Sequence, residues 1–248
     1  MKFVEYGSIQ NETVIFLHGG GLAPWNYYDE AERLQERFHI IIPILDGHNG
    51  SDTDFTSIEN NADEIINYVD ENFHGNIFMI CGLSLGGQIL TEILAKRKDI
   101  CKYAIIESTL VIPMKTLYAF VRPFFSICYP LVKKQWFARL QFKALHIRDS
   151  LFEDYYRDSA AISKENMTAF LKANSDYRLK ESVKESIAKV LILAGSKEPG
   201  IVKKSAEILC EQIPNATLEI LPGYYHGDLS INHASEYIQK IEALISTR

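Results

Sequence analysis

Short runs rich in Val, Ile and Leu alternate along the chain with longer stretches of helical periodicity. This alternation is typical of βαβ units, and it predicts an α/β fold with a mostly parallel sheet flanked by helices. Several runs are apolar at consecutive positions, as expected of strands whose two faces are both covered. The six predicted strands are residues 13–19, 39–45, 76–82, 102–108, 189–195 and 216–222.

Amphipathic helices are predicted over residues 57–72 and 233–245, and a third begins near Leu85. About 80 residues between the fourth and fifth predicted strands have helical periodicity and contain no comparable strand. Because this segment is too long for a simple crossover, we interpret it as a helical cap inserted at the carboxyl edge of the sheet. The predicted boundaries are residues 1–109 and 186–248 for the core and 110–185 for the cap.

The composition argues against several classes of protein. A formal net charge of −6 disfavours a general nucleic-acid binder, which needs an excess of Lys and Arg to neutralise phosphates. The four cysteines are scattered, so we expect neither a zinc site nor a disulfide framework. The N-terminus lacks the apolar stretch of a signal peptide, and no segment reaches the roughly 20 apolar residues that span a bilayer. We therefore expect a cytoplasmic protein with reduced thiols.

The segment CGLSLGGQ, residues 81–88, places Ser84 between glycines, after a predicted strand and before a predicted helix. A G-x-S-x-G match is weak evidence alone, but this context is what a nucleophile elbow requires. Gly82, Gly86 and Gly87 would let the strand and helix approach without Cβ clashes. Ser84 is therefore the predicted nucleophile, and the alternative is a glycine-rich turn with a helix-capping serine.

A serine hydroxyl needs a base to accept its proton, and histidine titrates in the appropriate range. His226 lies in the segment LPGYYHGDLS, after the last predicted strand, where the chain order nucleophile, acid, histidine requires it. His233 is the only later histidine, and the pattern puts it near the start of the terminal helix. We predict that His226 is the base.

A carboxylate should orient the imidazole and stabilise its charged form. Glu198 follows the end of a predicted strand and precedes His226, and Pro199 and Gly200 keep it in a turn. Glu107 also lies at a carboxyl strand end and is the main competitor. Glu198 is the predicted acid, with Glu107 left open.

Attack on a carbonyl creates an oxyanion, which backbone N–H groups at glycine turns can stabilise. The segment FLHGGGLAPWNYY supplies such a turn after the first predicted strand. We predict the N–H groups of Gly20 and Leu85 as the donors, with Gly21 as an alternative to Gly20. His18 is expected to brace this loop rather than to take part in the chemistry.

These motifs together resemble the α/β-hydrolase family, and they occur in the family's order. The resemblance implies a Ser, His and acidic triad and no cofactor, and members of the family often carry a helical cap between the sixth and seventh strands. It matches Ser84 to the nucleophile, His226 to the base and Glu198 to the acid, although Glu stands where that loop more often has Asp. The matching segments are HGGG at 18–21, LDGHNGS at 45–51, GLSLGG at 82–87, GSKEP at 195–199 and GYYHG at 223–227.

Both arguments indicate acyl transfer to water, so the predicted function is a serine hydrolase that cleaves an ester of a small, partly hydrophobic substrate. Thioesterases, carbon–carbon hydrolases, amidases and cofactor-free lyases use similar sites, so the leaving group is not predicted. A ligand receptor with slow or no turnover is the alternative from another class, and an interaction module with a degenerate site is a third. The cap contains no matching motif, so the natural substrate is not predicted. The oligomeric state is not predicted either.

Residues 110–148 contain seven Lys or Arg, eight aromatic residues and no Asp or Glu, a local reversal of charge in an acidic chain. One interpretation is a lid whose aromatic face covers the sheet while its basic side chains extend into water. The other is that the apolar face lines an acyl pocket, while the basic face attracts an anionic substrate or makes a weak contact with an anionic membrane surface.

Overall fold

The structure is a computed structural model that describes residues 1–246. Its centre is a seven-stranded sheet with the order β1-β3-β2-β4-β5-β6-β7. β1 pairs antiparallel with β3, and every other neighbouring pair is parallel. The strands are β1 (Lys2–Tyr6), β2 (Thr13–Leu17), β3 (His39–Ile44), β4 (Ile77–Leu83), β5 (Cys101–Glu107), β6 (Lys189–Gly195) and β7 (Ala216–Leu221).

The mostly parallel sheet confirms the predicted fold class, and all six predicted strands form within two residues of their predicted ends. β1 was not predicted. It is an edge strand that is covered incompletely, so its side chains do not form the continuous apolar run of a central strand. Its pairing with β3 depends on a partner more than 30 residues away in the chain.

Ten α-helices lie around the sheet within the described residues, and the three predicted helices correspond to α2, α3 and α10. α2 begins at an N-cap in which the Ser57 hydroxyl accepts a hydrogen bond from the Asn60 N–H at 2.9 Å. The helices are α1 (Tyr28–Leu34), α2 (Ile58–Phe73), α3 (Leu85–Lys96), α4 (Lys115–Val132), α5 (Gln135–Ala144), α6 (Phe152–Ala161), α7 (Lys164–Asp176), α8 (Gly200–Gln212), α9 (Asp228–Asn232) and α10 (Ala234–Ser246).

The hydrophobic core lies on both faces of the sheet. β2 is buried at all five positions, and its side chains alternate between the two faces. Ile15 and Leu17 pack in the cluster that contains residues of α2 and α3, whereas Val14 and Phe16 pack in the cluster that contains residues of α1 and α10. This arrangement explains why the central strands are apolar at consecutive positions.

The segment between β5 and β6 contains the four helices α4 to α7, and none of its residues forms a strand. α4 packs against α7, and α7 also contacts α2 of the core. The division into a core and a cap with a boundary at residues 110 and 185 stays a prediction. Among residues 1–246, no helix has the length and apolar character needed to cross a membrane.

Candidate active site

Ser84 lies at the junction of β4 and α3 with φ 52° and ψ −108°. A positive φ is uncommon for a residue with a Cβ, and such strained backbone persists only where the surroundings hold it. The Ser84 N–H donates to the carbonyl oxygen of Glu107 at 2.9 Å, which ties the turn to the end of the neighbouring strand β5. The turn therefore has the geometry of a nucleophile elbow.

Two glycines make this tight turn sterically feasible. A Cβ on Gly82 would lie 2.5 Å from the carbonyl oxygen of Gly86, and a Cβ on Gly86 would overlap the carbonyl of Leu17. Neither backbone carbonyl is the flexible end of a side chain that could move away. Close packing of β4, α3 and β2 at this point thus requires glycine at both positions.

His226 lies in the loop between β7 and α9, and its Nε2 is 3.0 Å from Oγ of Ser84. Its Nδ1 is 2.7 Å from Oε2 of Glu198. Because an ionised carboxylate can only accept, Nδ1 carries the ring proton, and Nε2 of the neutral ring is left to accept from the serine hydroxyl. This tautomer is the one that a general base requires.

Glu198 lies between β6 and α8 and is buried. Its Oε1 accepts hydrogen bonds from the Gly195 N–H at 2.7 Å and from the Ser108 hydroxyl at 2.8 Å. Burial alone would raise the pKa of the Glu198 carboxyl, but the hydrogen bond and charge of His226, together with these two donors, outweigh burial and lower it. Glu198 is therefore ionised at neutral pH and faces the imidazole.

Glu107, the competing candidate, occupies a different position. It is buried at the end of β5, where its Oε1 accepts a hydrogen bond from the Ser230 N–H at 3.3 Å. Its Oε2 has no hydrogen-bond partner among the described residues, and neither oxygen bonds to His226. Burial raises the pKa of Glu107 to about 7, an effect that hydrogen bonding from Ser230 only partly offsets. The geometry thus favours Glu198 as the partner of His226.

The backbone N–H of Gly20 has no hydrogen-bond acceptor among the described residues, whereas the N–H of Gly21 donates to Nε2 of His48 at 3.0 Å. Leu85 is the first residue of α3, where the N–H has no partner within the helix. A Cβ on Gly20 would lie 3.4 Å from Cδ2 of Leu85, so the two residues are neighbours. Between the two alternatives, Gly20 is the better placed to receive an oxyanion.

His18 and His48 hold the loop that contains Gly20. Nε2 of His18 accepts a hydrogen bond from the Leu45 N–H at 3.2 Å, and Nδ1 donates to the Gly19 carbonyl at 3.0 Å. Burial lowers the pKa of His18 to about 3 and that of His48 to about 4, so both rings are neutral at pH 7. These contacts are consistent with the bracing role expected for His18.

Two adjoining cavities open beside Ser84. The first, of about 110 Å³, is lined by residues that include Gly20, Ser84 and His226. The second, of about 220 Å³, shares Gly20, Leu22 and Leu145 with the first and continues beneath α4 and α7, where its walls are mainly apolar. A larger cleft of about 560 Å³ lies at the amino ends of β2, β4 and β5 and contains none of the candidate site residues.

The structure brings Ser84, His226 and Glu198 into one hydrogen-bonded chain and leaves His233 outside it, 3.5 Å from Asp228.

Two residues that support the site through hydrogen bonds were not predicted from the sequence. Ser108 bonds to Glu198, and nothing in its local pattern distinguishes it. Nε2 of His48 accepts a hydrogen bond from the Gly21 N–H. His48 lies in the LDGHNGS segment, which the sequence analysis had already singled out, so this segment could have indicated its role. Within residues 1–246, no cluster of His, Cys, Asp or Glu side chains could hold a metal ion.

Residues 12–232 match the family model described as the alpha/beta hydrolase fold. Among solved structures, an esterase from Thermogutta terrifontis is 16% identical, with a TM-score of 0.78 over 98% of this chain and 93% of that chain. A hydrolase from Pseudomonas aeruginosa is 12% identical, with a TM-score of 0.83 over 99% and 94%. MenH from S. aureus is 19% identical, with a TM-score of 0.78 over 98% and 97%. No curated protein matches the sequence significantly.

Proposed function

Since the chain belongs to the α/β-hydrolase fold family, we propose that it is a serine hydrolase that cleaves ester bonds through an acyl-enzyme. One observation carries this proposal: the continuous hydrogen-bonded chain from Ser84 Oγ through His226 to Glu198, at 3.0 and 2.7 Å. A nucleophile, a base and a group that orients the base in this geometry are what acyl transfer requires.

In the first half of the reaction, Oγ of Ser84 attacks the substrate carbonyl carbon while Nε2 of His226 takes the hydroxyl proton. The carbonyl π electrons move to oxygen and give a tetrahedral oxyanion. Glu198 stays ionised and stabilises the imidazolium, which its lowered pKa permits. The imidazolium then gives its proton to the leaving alcohol as the carbon–oxygen bond breaks, and an acyl ester of Ser84 remains.

The N–H groups of Gly20 and Leu85 stabilise the oxyanion. Donors fixed in position before the reaction need no reorganisation as the charge develops, and losing one such donor typically costs about 100- to 1,000-fold in rate. The Gly20 N–H has no acceptor among the described residues, which leaves it ready for a substrate oxygen. His18 and His48 keep the loop in this conformation.

In the second half, water takes the place of the alcohol. Nε2 of His226 accepts a proton from the water as its oxygen attacks the acyl carbon, and the same proton returns to Oγ of Ser84 as the acid leaves. The site is therefore restored after each turnover. Roughly two fifths of the His226 side chain is exposed, which gives water a route to the ring.

The cavity under α4 and α7 supports an apolar acyl group as the part of the substrate that is recognised. Its walls include Phe125, Met167 and Phe170, and it joins the cavity at Ser84. We propose that residues 110–185 act as the cap that shapes this acyl site. Small, partly hydrophobic carboxylic esters are the substrates that we expect first, with thioesters and amides as related classes.

Labelling with a fluorophosphonate probe, combined with turnover of p-nitrophenyl esters, tests this proposal. The wild type should be labelled at Ser84 and should turn over each ester many times. Ser84→Ala should lose both properties and keep its circular dichroism spectrum. Ser8→Ala, which removes an exposed hydroxyl remote from the site, is the matched control. A single slow turnover in the wild type would instead support a ligand receptor, and full activity in Ser84→Ala would exclude the mechanism.

A further inference from the structure

The outer face of α4 carries a stripe of exposed apolar side chains. Leu117, Phe120, Phe124 and Ile127 are 45%, 65%, 54% and 79% exposed, and they follow the i, i+3, i+7, i+10 spacing of one helix face. Four large apolar residues aligned in this way form a contiguous patch rather than the scattered exposed residues that are normal on a protein surface.

The inner face of the same helix is already covered. Val121 and Val132 are buried, and Phe125 is packed against the core cluster and lines the acyl cavity. α5 carries two further exposed large apolar side chains, Trp136 and Leu140, which are 58% and 59% exposed. α4 is therefore apolar on two faces, and packing within this chain accounts for only one of them.

Six exposed cations lie on α4, on α5 and in the turn between these two helices. None forms an ion pair with a carboxylate among the described residues, although α1, α2 and α6 all carry such pairs. Residues 110–148 contain no Asp or Glu, so all 32 acidic residues of the chain lie elsewhere. The six are Lys115, Arg122, Lys133, Lys134, Arg139 and Lys143.

We propose that the outer face of α4 and α5 docks on the surface of a bilayer that contains anionic phospholipid. Exposed aromatic and aliphatic side chains bordered by Lys and Arg are what a helix lying at a lipid interface needs, since the apolar side chains enter the acyl boundary and the cations meet the head groups. A second copy of the chain fits less well, because an isologous dimer would bring two faces of the same charge together.

Docking in this orientation connects the membrane to the acyl site. Leu145, directly after α5, lines both cavities beside Ser84 and is itself 39% exposed. The inner face of α4 lines the acyl cavity while its outer face meets lipid. This consequence rests on the proposed function, and it implies that esters dissolved in the membrane reach Ser84 past Leu145.

Vesicle co-sedimentation with Ser84→Ala protein tests the docking surface without hydrolysis of the lipid. Vesicles of phosphatidylcholine with about one third phosphatidylserine should retain the protein at least tenfold better than phosphatidylcholine alone, since each Lys or Arg near an anionic surface contributes about a factor of five. Retention should weaken as the salt concentration rises from about 0.05 to 0.5 M, because exposed charges are screened.

Two double variants divide the surface into its parts. Phe124→Ser with Ile127→Ser removes apolar contact, and Lys133→Glu with Lys134→Glu reverses charge. Each should lower retention by roughly tenfold or more. The matched control, Lys184→Glu with Ile187→Ser, changes an exposed cation and an exposed apolar residue elsewhere and should bind like the parent protein.

Equal retention on neutral and anionic vesicles, or none on either, would overturn the proposal. So would a concentration-dependent dimer in sedimentation velocity that Phe124→Ser with Ile127→Ser abolishes, because the stripe would then be a contact between copies. The same surface variants, made in protein that retains Ser84, are assayed for turnover of a water-soluble ester. This assay measures the proposed function separately from docking. Loss of vesicle binding with normal esterase activity would therefore refute docking alone. Normal vesicle binding without esterase activity would refute the proposed function alone.

Discussion

The hydroxyl of Ser108 donates a hydrogen bond to Oε1 of Glu198 at 2.8 Å and accepts one from the Gly227 N–H at 3.0 Å. Ser108 thereby joins the acid to the residue that directly follows His226. It does so at φ 54°, in the left-handed region that residues with a Cβ rarely adopt. A strained serine that bridges Glu198 and the His226 loop is placed to position both.

Ser108→Ala should lower kcat for ester hydrolysis by roughly ten- to one hundredfold, the loss expected when a hydrogen bond to a charged group is removed. Ser108→Gly relieves the backbone strain and still lacks the hydroxyl, so it should be impaired as well. Loss of the donor also raises the pKa of the Glu198 carboxyl, and activity should therefore decline at a higher pH on the acid side. Stopped-flow rates between pH 4 and 8 check both effects, and normal kinetics in Ser108→Gly would show that the hydroxyl has no such role.

Glu198→Gln should reduce kcat by about 1,000-fold or more, because an amide cannot stabilise the imidazolium of His226. Glu107→Gln should cost less than roughly tenfold, since Glu107 makes no hydrogen bond to His226. Steady-state hydrolysis of one p-nitrophenyl ester by both variants provides the comparison. The reverse order of rates would move the acid to Glu107 and leave the rest of the mechanism in place.

Glu107 should make the stability of the protein depend on pH. Its folded-state pKa of about 7 lies above the ordinary value of 4.5, so the unfolded chain loses this proton first as the pH rises. The free energy of unfolding should therefore fall between about pH 4.5 and 7. The slope approaches about 1.4 kcal/mol per pH unit in the middle of this range and is about half of that at its two ends, so the decline amounts to roughly 2–3 kcal/mol.

Glu107→Gln should remove this decline, whereas Glu12→Gln, which replaces an exposed carboxylate, should retain it. Urea denaturation at pH 5 and pH 8 measures the difference for the wild type and the two variants. Parallel pH dependence in the wild type and Glu107→Gln would mean that the buried carboxyl does not hold its proton.

Leu145→Trp should restrict access to the larger cavity, because Leu145 lines both cavities beside Ser84. In the wild type, kcat/KM should rise from acetate to medium-length acyl esters by up to about fourfold for each buried CH₂ group. The variant should lose this gain while acetate is affected little. Leu140→Trp, on the exposed face of α5, is the matched control. Equal losses for all chain lengths in Leu145→Trp would show that the acyl group lies elsewhere.

Much of the fold could be predicted because its signals are local. Consecutive apolar residues marked the central strands, since both faces of the sheet are covered, and the glycines around Ser84 marked the tight turn from β4 to α3. β1 gave no such signal, because an edge strand that is half exposed resembles a loop. α8 was not predicted either, although its sequence has the amphipathic periodicity of a helix. The cytoplasmic location and the cap boundary stay predictions.

The sequence by itself determined the order of six of the seven strands and of the helices α2, α3 and α10, and it narrowed the site to a serine, a histidine and two acids, because periodicity and turn chemistry depend on neighbouring residues. Only the tertiary structure decided that Glu198 rather than Glu107 faces His226, that Gly20 rather than Gly21 has an unbonded N–H, and that Ser108 supports the acid. The residues in these contacts lie up to 90 positions apart. Their distances are set by how the strands pair and how the loops pack at the carboxyl edge of the sheet, which no local pattern encodes.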